Sequence, residues 1–198
     1  MKKILFTIMT FSLLLLFSVN CGSRKGPDLS PEASRKTISN LPNWFMDIPS
    51  KEGFRYETST ATSQDIQMAI NKASLDASNK LAGQVKSEMN GLIKRAQEET
   101  GLGEGSHVID QFSQTQEQVI ATALQDWKIA KKEIQEEKSS TGRIYRAYVL
   151  IEWDEGAAQK RLLAKIQSDE QIYTAIRATE LYDEMEAKVE KYRERNEN

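Results

Sequence analysis

The segment Arg143-Ile144-Tyr145-Arg146-Ala147-Tyr148-Val149-Leu150-Ile151-Glu152-Trp153 reads as a β-strand with two unlike faces. Tyr145, Ala147, Val149, Ile151 and Trp153 form a fully apolar face. Ile144, Arg146, Tyr148, Leu150 and Glu152 form a mixed one. A period of two places one set against a core and the other toward solvent or a partner. Just upstream, Asp126 to Gln135 carries enough charge to be an edge or solvent-facing strand. Ser139-Ser140-Thr141-Gly142 between them suits a four-residue hairpin connection with glycine at its end. Gly53 to Ala61 alternates bulky and polar residues and is rich in threonine, which predicts a third strand.

Helical periodicity fills the space between these strands. From about residue 63 to 99, Ile66, Ile70, Ala73, Ala77, Leu81, Val85, Met89, Leu92 and Ala96 recur at steps of three and four, one apolar stripe on a polar helix. The alanines near its N-terminus let it lie close against a sheet, Thr62 or Ser63 can cap it, and Gly83 and Gly91 mark bends or weak points. Gly101 to Ser106 ends it. The glycines there do not make a phosphate loop, because no strand precedes them and no Lys-Ser/Thr closes them. A second helix is predicted from Val108 to about Thr122, burying Ile109, Phe112, Val119 and Ile120. Asp154 then caps a helix from Glu155 to about Gln167, buried through Ala158, Leu162 and Ile166. A last helix runs from about Asp169 to Arg195, with Leu181, Met185, Val189 and Tyr192 as an apolar seam suited to packing on the domain or to a short coiled coil. The fold expected is α+β: a short antiparallel sheet of about three strands, packed by long amphipathic helices, with an extra C-terminal helix.

The N-terminus carries a different kind of signal. Lys2 and Lys3 precede an apolar run from Ile4 to Phe17, followed by Ser18-Val19-Asn20-Cys21-Gly22-Ser23. That is the layout of a signal peptide. The run is short of the roughly 20 apolar residues a spanning helix needs. Cys21 is the chain's only cysteine, and its thiol can carry a diacylglycerol whose buried methylenes each contribute about 0.8 kcal/mol to membrane attachment. Ordinary secretion with an incidental cysteine is the alternative. Residues 1–20 are expected to be a lipoprotein signal peptide, 21–41 the acylated cysteine and a tether, 42–168 the folded domain, and 169–198 the C-terminal helix. Gly22, with no aspartate beside Cys21, is compatible with outer-membrane sorting. The tether, poor in apolar residues and containing Pro27 and Pro31, cannot offset its own ordering entropy. It would reach about 65–70 Å fully extended.

Composition excludes some functions. Removing residues 1–20 takes Lys2 and Lys3 from the 27 basic side chains and nothing from the 29 acidic ones, leaving a formal net charge of −4. A nucleic-acid binder normally shows a basic surplus. With a single cysteine, no disulfide can form within the chain. No catalytic, cofactor or metal site emerges. His107, the only histidine, lies beside a glycine-rich loop without converging ligands, and Glu98-Glu99 and Glu136-Glu137 read as solvated charge pairs. Trp44, Phe45, Trp127, Tyr145, Tyr148 and Trp153 read mainly as core. If the mixed face of the 143–153 strand is open, Tyr148 with Arg146 makes a small interaction patch.

Pro42-Asn43-Trp44, the alanine-rich run Ala69-Ile70-Asn71-Lys72-Ala73-Ser74-Leu75-Asp76-Ala77-Ser78-Asn79-Lys80-Leu81-Ala82 and the strand Tyr145-Arg146-Ala147-Tyr148-Val149-Leu150-Ile151 together resemble the Lpp-twenty-type bacterial lipoprotein family, over about residues 42 to 166. The resemblance implies a small α+β domain in surface or flagellar-assembly lipoproteins, with no catalytic residues to carry over. The function expected is that of a membrane-anchored, non-enzymatic lipoprotein of the bacterial cell envelope, at the outer membrane. It would be held through Cys21, would act with other envelope proteins, and could self-associate through the C-terminal helix. The alternative is a periplasmic binding module for a small ligand or cell-wall component, which requires a pocket lined by Tyr or Trp.

Overall fold

The alternating segment becomes the middle strand of a three-stranded antiparallel sheet. This computed structural model describes residues 40–139 and 142–197. Cys21, the signal peptide, the tether up to residue 39 and the Ser140-Thr141 step of the hairpin connection lie outside the described residues. In chain order the elements are α1 (Asn43–Met46), β1 (Phe54–Ser63), α2 (Ile66–Thr100), α3 (His107–Ala123), a 3-10 turn (Leu124–Asp126), β2 (Lys128–Ser139), β3 (Gly142–Asp154), α4 (Glu155–Ser168), α5 (Glu170–Ile176) and α6 (Glu180–Glu197). The sheet order is β1-β3-β2. Ala147 sits opposite Ala61 on one side and Ile134 on the other, and the β2–β3 register shifts between Ile129 and Lys131.

α2 organises the rest. Its cap is Asp65, whose carboxylate accepts from the Met68 amide at 2.7 Å, rather than Thr62 or Ser63. Ser63 instead accepts from the Asp65 amide at 3.3 Å and so steadies the cap itself. The helix passes Gly83 and Gly91 unbroken and stops at Gly101, whose φ of 70° provides the left-handed residue that ends many helices. At 1.5 Å per residue it is about 50 Å long, and it serves two cores in succession. Along its first half, Ala69, Ala73 and Ala77, each fully buried, pack with Leu81 and Val85 against Ala147, Val149, Ile151 and Trp153 of β3. Along its second half, Ala96 joins a helical core built on Phe112, Leu162, Ile166, Ile172, Ile176 and Leu181. Trp153 packs in the first of these cores and donates its indole N–H to the Ala123 carbonyl at 2.7 Å.

The single C-terminal helix expected from 169 to 195 is two helices. α5 ends at Ile176. The Thr179 hydroxyl donates to the Ile176 carbonyl at 2.6 Å and accepts from the Tyr182 amide at 3.2 Å, closing one helix and opening the next. The Glu99 carboxylate, at the far end of α2, accepts from the Leu181 amide at 2.9 Å. Negative charge on first-turn amides is favourable. α6 then buries Leu181, Tyr182, Met185 and Val189 in the helical core, so its apolar seam is used within the chain. It belongs to the same compact unit, residues 40–198, as the sheet.

The close alanine contact sets the expected response to two substitutions. Ala73→Leu should lower the urea midpoint, with a loss of roughly 1–3 kcal/mol from overpacking. Gly83→Ala lies on the exposed side of the same helix with no heavy atom within 4 Å of the added Cβ, and should gain about 0.5–1 kcal/mol. Equilibrium unfolding of both variants checks the pair.

Candidate functional site

The two faces of the sheet are covered unequally. α2 packs over β1 and β3 and leaves the same face of β2 open, so Ile129 and Ile134 stay 38% and 37% exposed. Among the described residues the outer edge of β2 has no neighbouring strand. Unpaired main-chain groups along such an edge are a template for another chain. Lys131, Lys132, Glu133 and Glu136 line the strand, and the register shift lies at its start. Both features guard an edge against indiscriminate pairing.

The opposite face carries the predicted interaction pair, and the structure separates the two residues by environment. Tyr148 is 5% exposed, with Phe45 of α1 meeting its ring edge-on at 5.1 Å between centroids. Trp44 lies against Phe45 in turn, at 6.2 Å. The Pro42-Asn43-Trp44-Phe45 segment thus closes over Tyr148, while Leu150 on the same side of β3 is fully buried. Arg146 remains partly exposed and is paired with Glu137 of β2. That hydrogen bond holds the Glu137 carboxyl below the usual carboxylate range and raises the arginine. Further along this face Tyr56 donates to Glu152 at 2.8 Å, and Lys128 pairs with the same carboxylate at 3.1 Å, a polar row across all three strands. Burial first, and then the bond to Glu152, push the Tyr56 phenol up to about 12.

Between β1 and the helices lies an ionic seam that periodicity did not reveal. Arg55 donates to both carboxylate oxygens of Glu155 at 2.7 Å and pairs with Glu88 of α2. One turn apart along α2, Gln84 reaches Glu57, Lys80 pairs with Asp76, and Asp76 accepts from Ser59. The legible signal is the four-residue spacing of Asp76, Lys80, Gln84 and Glu88, which places them on one flank of the helix. The bond from Arg55 holds Glu88 below its ordinary value, and that from Ser59 does the same for Asp76.

Other residues fall into structural roles. His107 is exposed at the first position of α3. Glu99 anchors α6 and is paired with Arg95 at 3.0 Å. Glu136 meets Arg143 at 3.5 Å. Among the described residues no group of three or more His, Cys, Asp or Glu is placed to hold a metal, and no helix is long and apolar enough to cross a membrane. Cys21 lies outside the described residues. Comparisons with protein-family models, with curated proteins and with solved structures returned no match.

The lowered carboxylates fix a sign for acid unfolding. Stability from Glu88 is complete above the unfolded glutamate value of about 4.3 and is lost as pH falls through its lower folded value. Urea midpoints should therefore hold steady from pH 7 to about 5 and drop below about 4. Arg55→Met should cost between the ~1 kcal/mol of an exposed pair and the ~3 kcal/mol of a buried one at pH 7, and should shrink the acid drop.

Proposed function

We propose that this chain is a lipid-anchored protein of a bacterial envelope whose folded domain binds other envelope proteins. Cys21 at the end of the apolar run supplies the membrane attachment, residues 22–39 supply reach, and the domain, which begins at Asn40, supplies the contact surface. The observation that carries the contact reading is β2, whose outer edge has no partner strand among the described residues and runs beside the exposed Ile129 and Ile134. An extended segment of a partner can add its main chain to that edge while its alternate side chains cover the two isoleucines, combining hydrogen-bond affinity with apolar specificity. Flagellar or surface-structure assembly fits this reading by resemblance alone.

Two measurements test the two halves separately. Expressed from its own N-terminus in a bacterial host, the wild type should enter the detergent phase with a mature mass beginning at Cys21 plus diacylglycerol, and Cys21→Ser should lose both. Release of an unmodified wild type into the periplasm would end the anchor reading. A photocrosslinking residue placed at Lys132 should trap an envelope protein in cells, and one placed at exposed Gly83 should not. Equal yields at both positions would end the reading of β2 as the contact surface.

A further inference from the structure

The charges along β2 stand in an order that the same strand, reversed, complements. Past the register shift at Ile129 to Lys131 the strand runs regularly against β3, with Lys132 opposite Val149, Ile134 opposite Ala147 and Glu136 opposite Tyr145. Ala147 and Val149 face the core under α2, so Lys132, Ile134 and Glu136 lie on the uncovered part of that face. Lys131, Glu133, Gln135 and Glu137 lie on the other face, opposite Leu150, Tyr148, Arg146 and Ile144. Each face of the strand thus carries a lysine before Ile134 and a glutamate after it.

A second β2 can lie antiparallel on the outer edge, related by a two-fold axis normal to the sheet. Such an axis keeps like faces on one side, so residues set opposite each other share a face. With Ile134 on the axis, Lys132 stands opposite Glu136 of the second copy and Lys131 opposite Glu137, each pair occurring twice. The neighbouring registers lose this match. With Glu133 on the axis, Glu133 meets its own copy and Lys132 meets Ile134. With Gln135 on the axis, Lys132 meets Lys138 and Glu133 meets Glu137. Opposite charges stabilise a directly facing antiparallel pair and like charges destabilise it. The charges that guard this edge against other chains therefore admit its own copy in one register.

The surroundings leave room for that copy. α2 packs over β1 and β3, so in the symmetric pair both α2 helices lie on one side with the two β2 strands uncovered between them. Lys131, Lys132, Ile134 and Glu136 are exposed. Glu136 and Glu137 already meet Arg143 and Arg146 of β3, but a carboxylate's two oxygens accept from more than one donor. β1, the sheet's other outer strand, is overhung by α2, which sends Lys80 to the Thr58 carbonyl at 3.5 Å and Gln84 to Glu57.

We propose that β2 pairs with β2 of a second copy of this chain, antiparallel about Ile134, joining two three-stranded sheets into one. The inference rests on the reading of β2 as the contact surface, whose partner it names, and does not depend on the anchor.

Disulfide trapping reads the register. Directly opposite residues of an antiparallel pair have Cβ atoms about 4.5–5.5 Å apart, close to what a disulfide spans. The full chain carrying Ile134→Cys, oxidised in cells with copper phenanthroline, should form a covalent dimer several-fold above wild type, whose only cysteine is Cys21. Lys132→Cys or Glu136→Cys alone should stay near background, each lying about 13 Å along the strand from its own copy. Co-expressed, those two variants should trap each other. In the Ile134→Cys chain, Lys132→Glu should lower the yield about threefold or more, and adding Glu136→Lys should restore it. Background yield from Ile134→Cys, or equal yields from all three single variants, would overturn the proposal. The photocrosslinker at Lys132 then separates the two readings. Capture of a different protein leaves β2 a contact surface without self-pairing, and equal yields at Lys132 and Gly83 end both.

Discussion

Three alanines decide how near a helix can come to a sheet. Ala69, Ala73 and Ala77 have no side chain beyond Cβ, so α2 settles directly onto Ala147 and Val149 of β3, a contact between small residues on both sides. Interiors pack at crystal-like density and give poorly to added volume. The distance fixed there therefore sets the height of the whole helical layer. It also brings the flank of α2 within reach of β1, where the pairs of Ser59 with Asp76, Glu57 with Gln84 and Arg55 with Glu88 can close.

Beyond the sheet, α2 keeps its stripe but changes partners. Its second half contributes Ala96 to a core otherwise made by α3 to α6, and its last turn sends Glu99 to the start of α6. The two cores are therefore linked by one continuous helix and by Trp153, which packs on the sheet side and is hydrogen-bonded to the end of α3. A groove between α2, α3, β3 and α4 draws on both, since Val85, Ile120 and Trp153 belong to the first core and Leu162 to the second. Helices meeting at a junction fill space less evenly than one stripe on one sheet.

Periodicity made the α+β architecture legible. β3 and α2 each repeat one pattern over many residues, and the structure follows it, with six α-helices and a three-stranded sheet among the described residues. What escaped the sequence depends on distant partners. No Gly or Pro marks the break between α5 and α6; Thr179 makes it locally and Glu99 supports it from 82 positions away. Tyr148 occupies the mixed face of its strand, and only the return of Phe45 over that face buries it. Gln116 fell in register with Ile109, Phe112 and Ile120, and its polar type at a core position hid its burial from a pattern of apolar residues.

The place where the chain joins the domain has a mechanical consequence. Asn40 accepts a hydrogen bond from Gln135 of β2 at 2.8 Å, and Pro42 and Phe45 follow at once onto the sheet. A pull on residue 40 loads these contacts one after another, as a strip is peeled, and not all together as in shear. At the other end, Arg195 donates to the Glu52 carbonyl at 2.7 Å, stacks over Phe54 and packs against Gly53, where any side chain would collide with it. Under tension from its N-terminal side the domain would yield first at α1, uncovering Tyr148 while both cores stay closed.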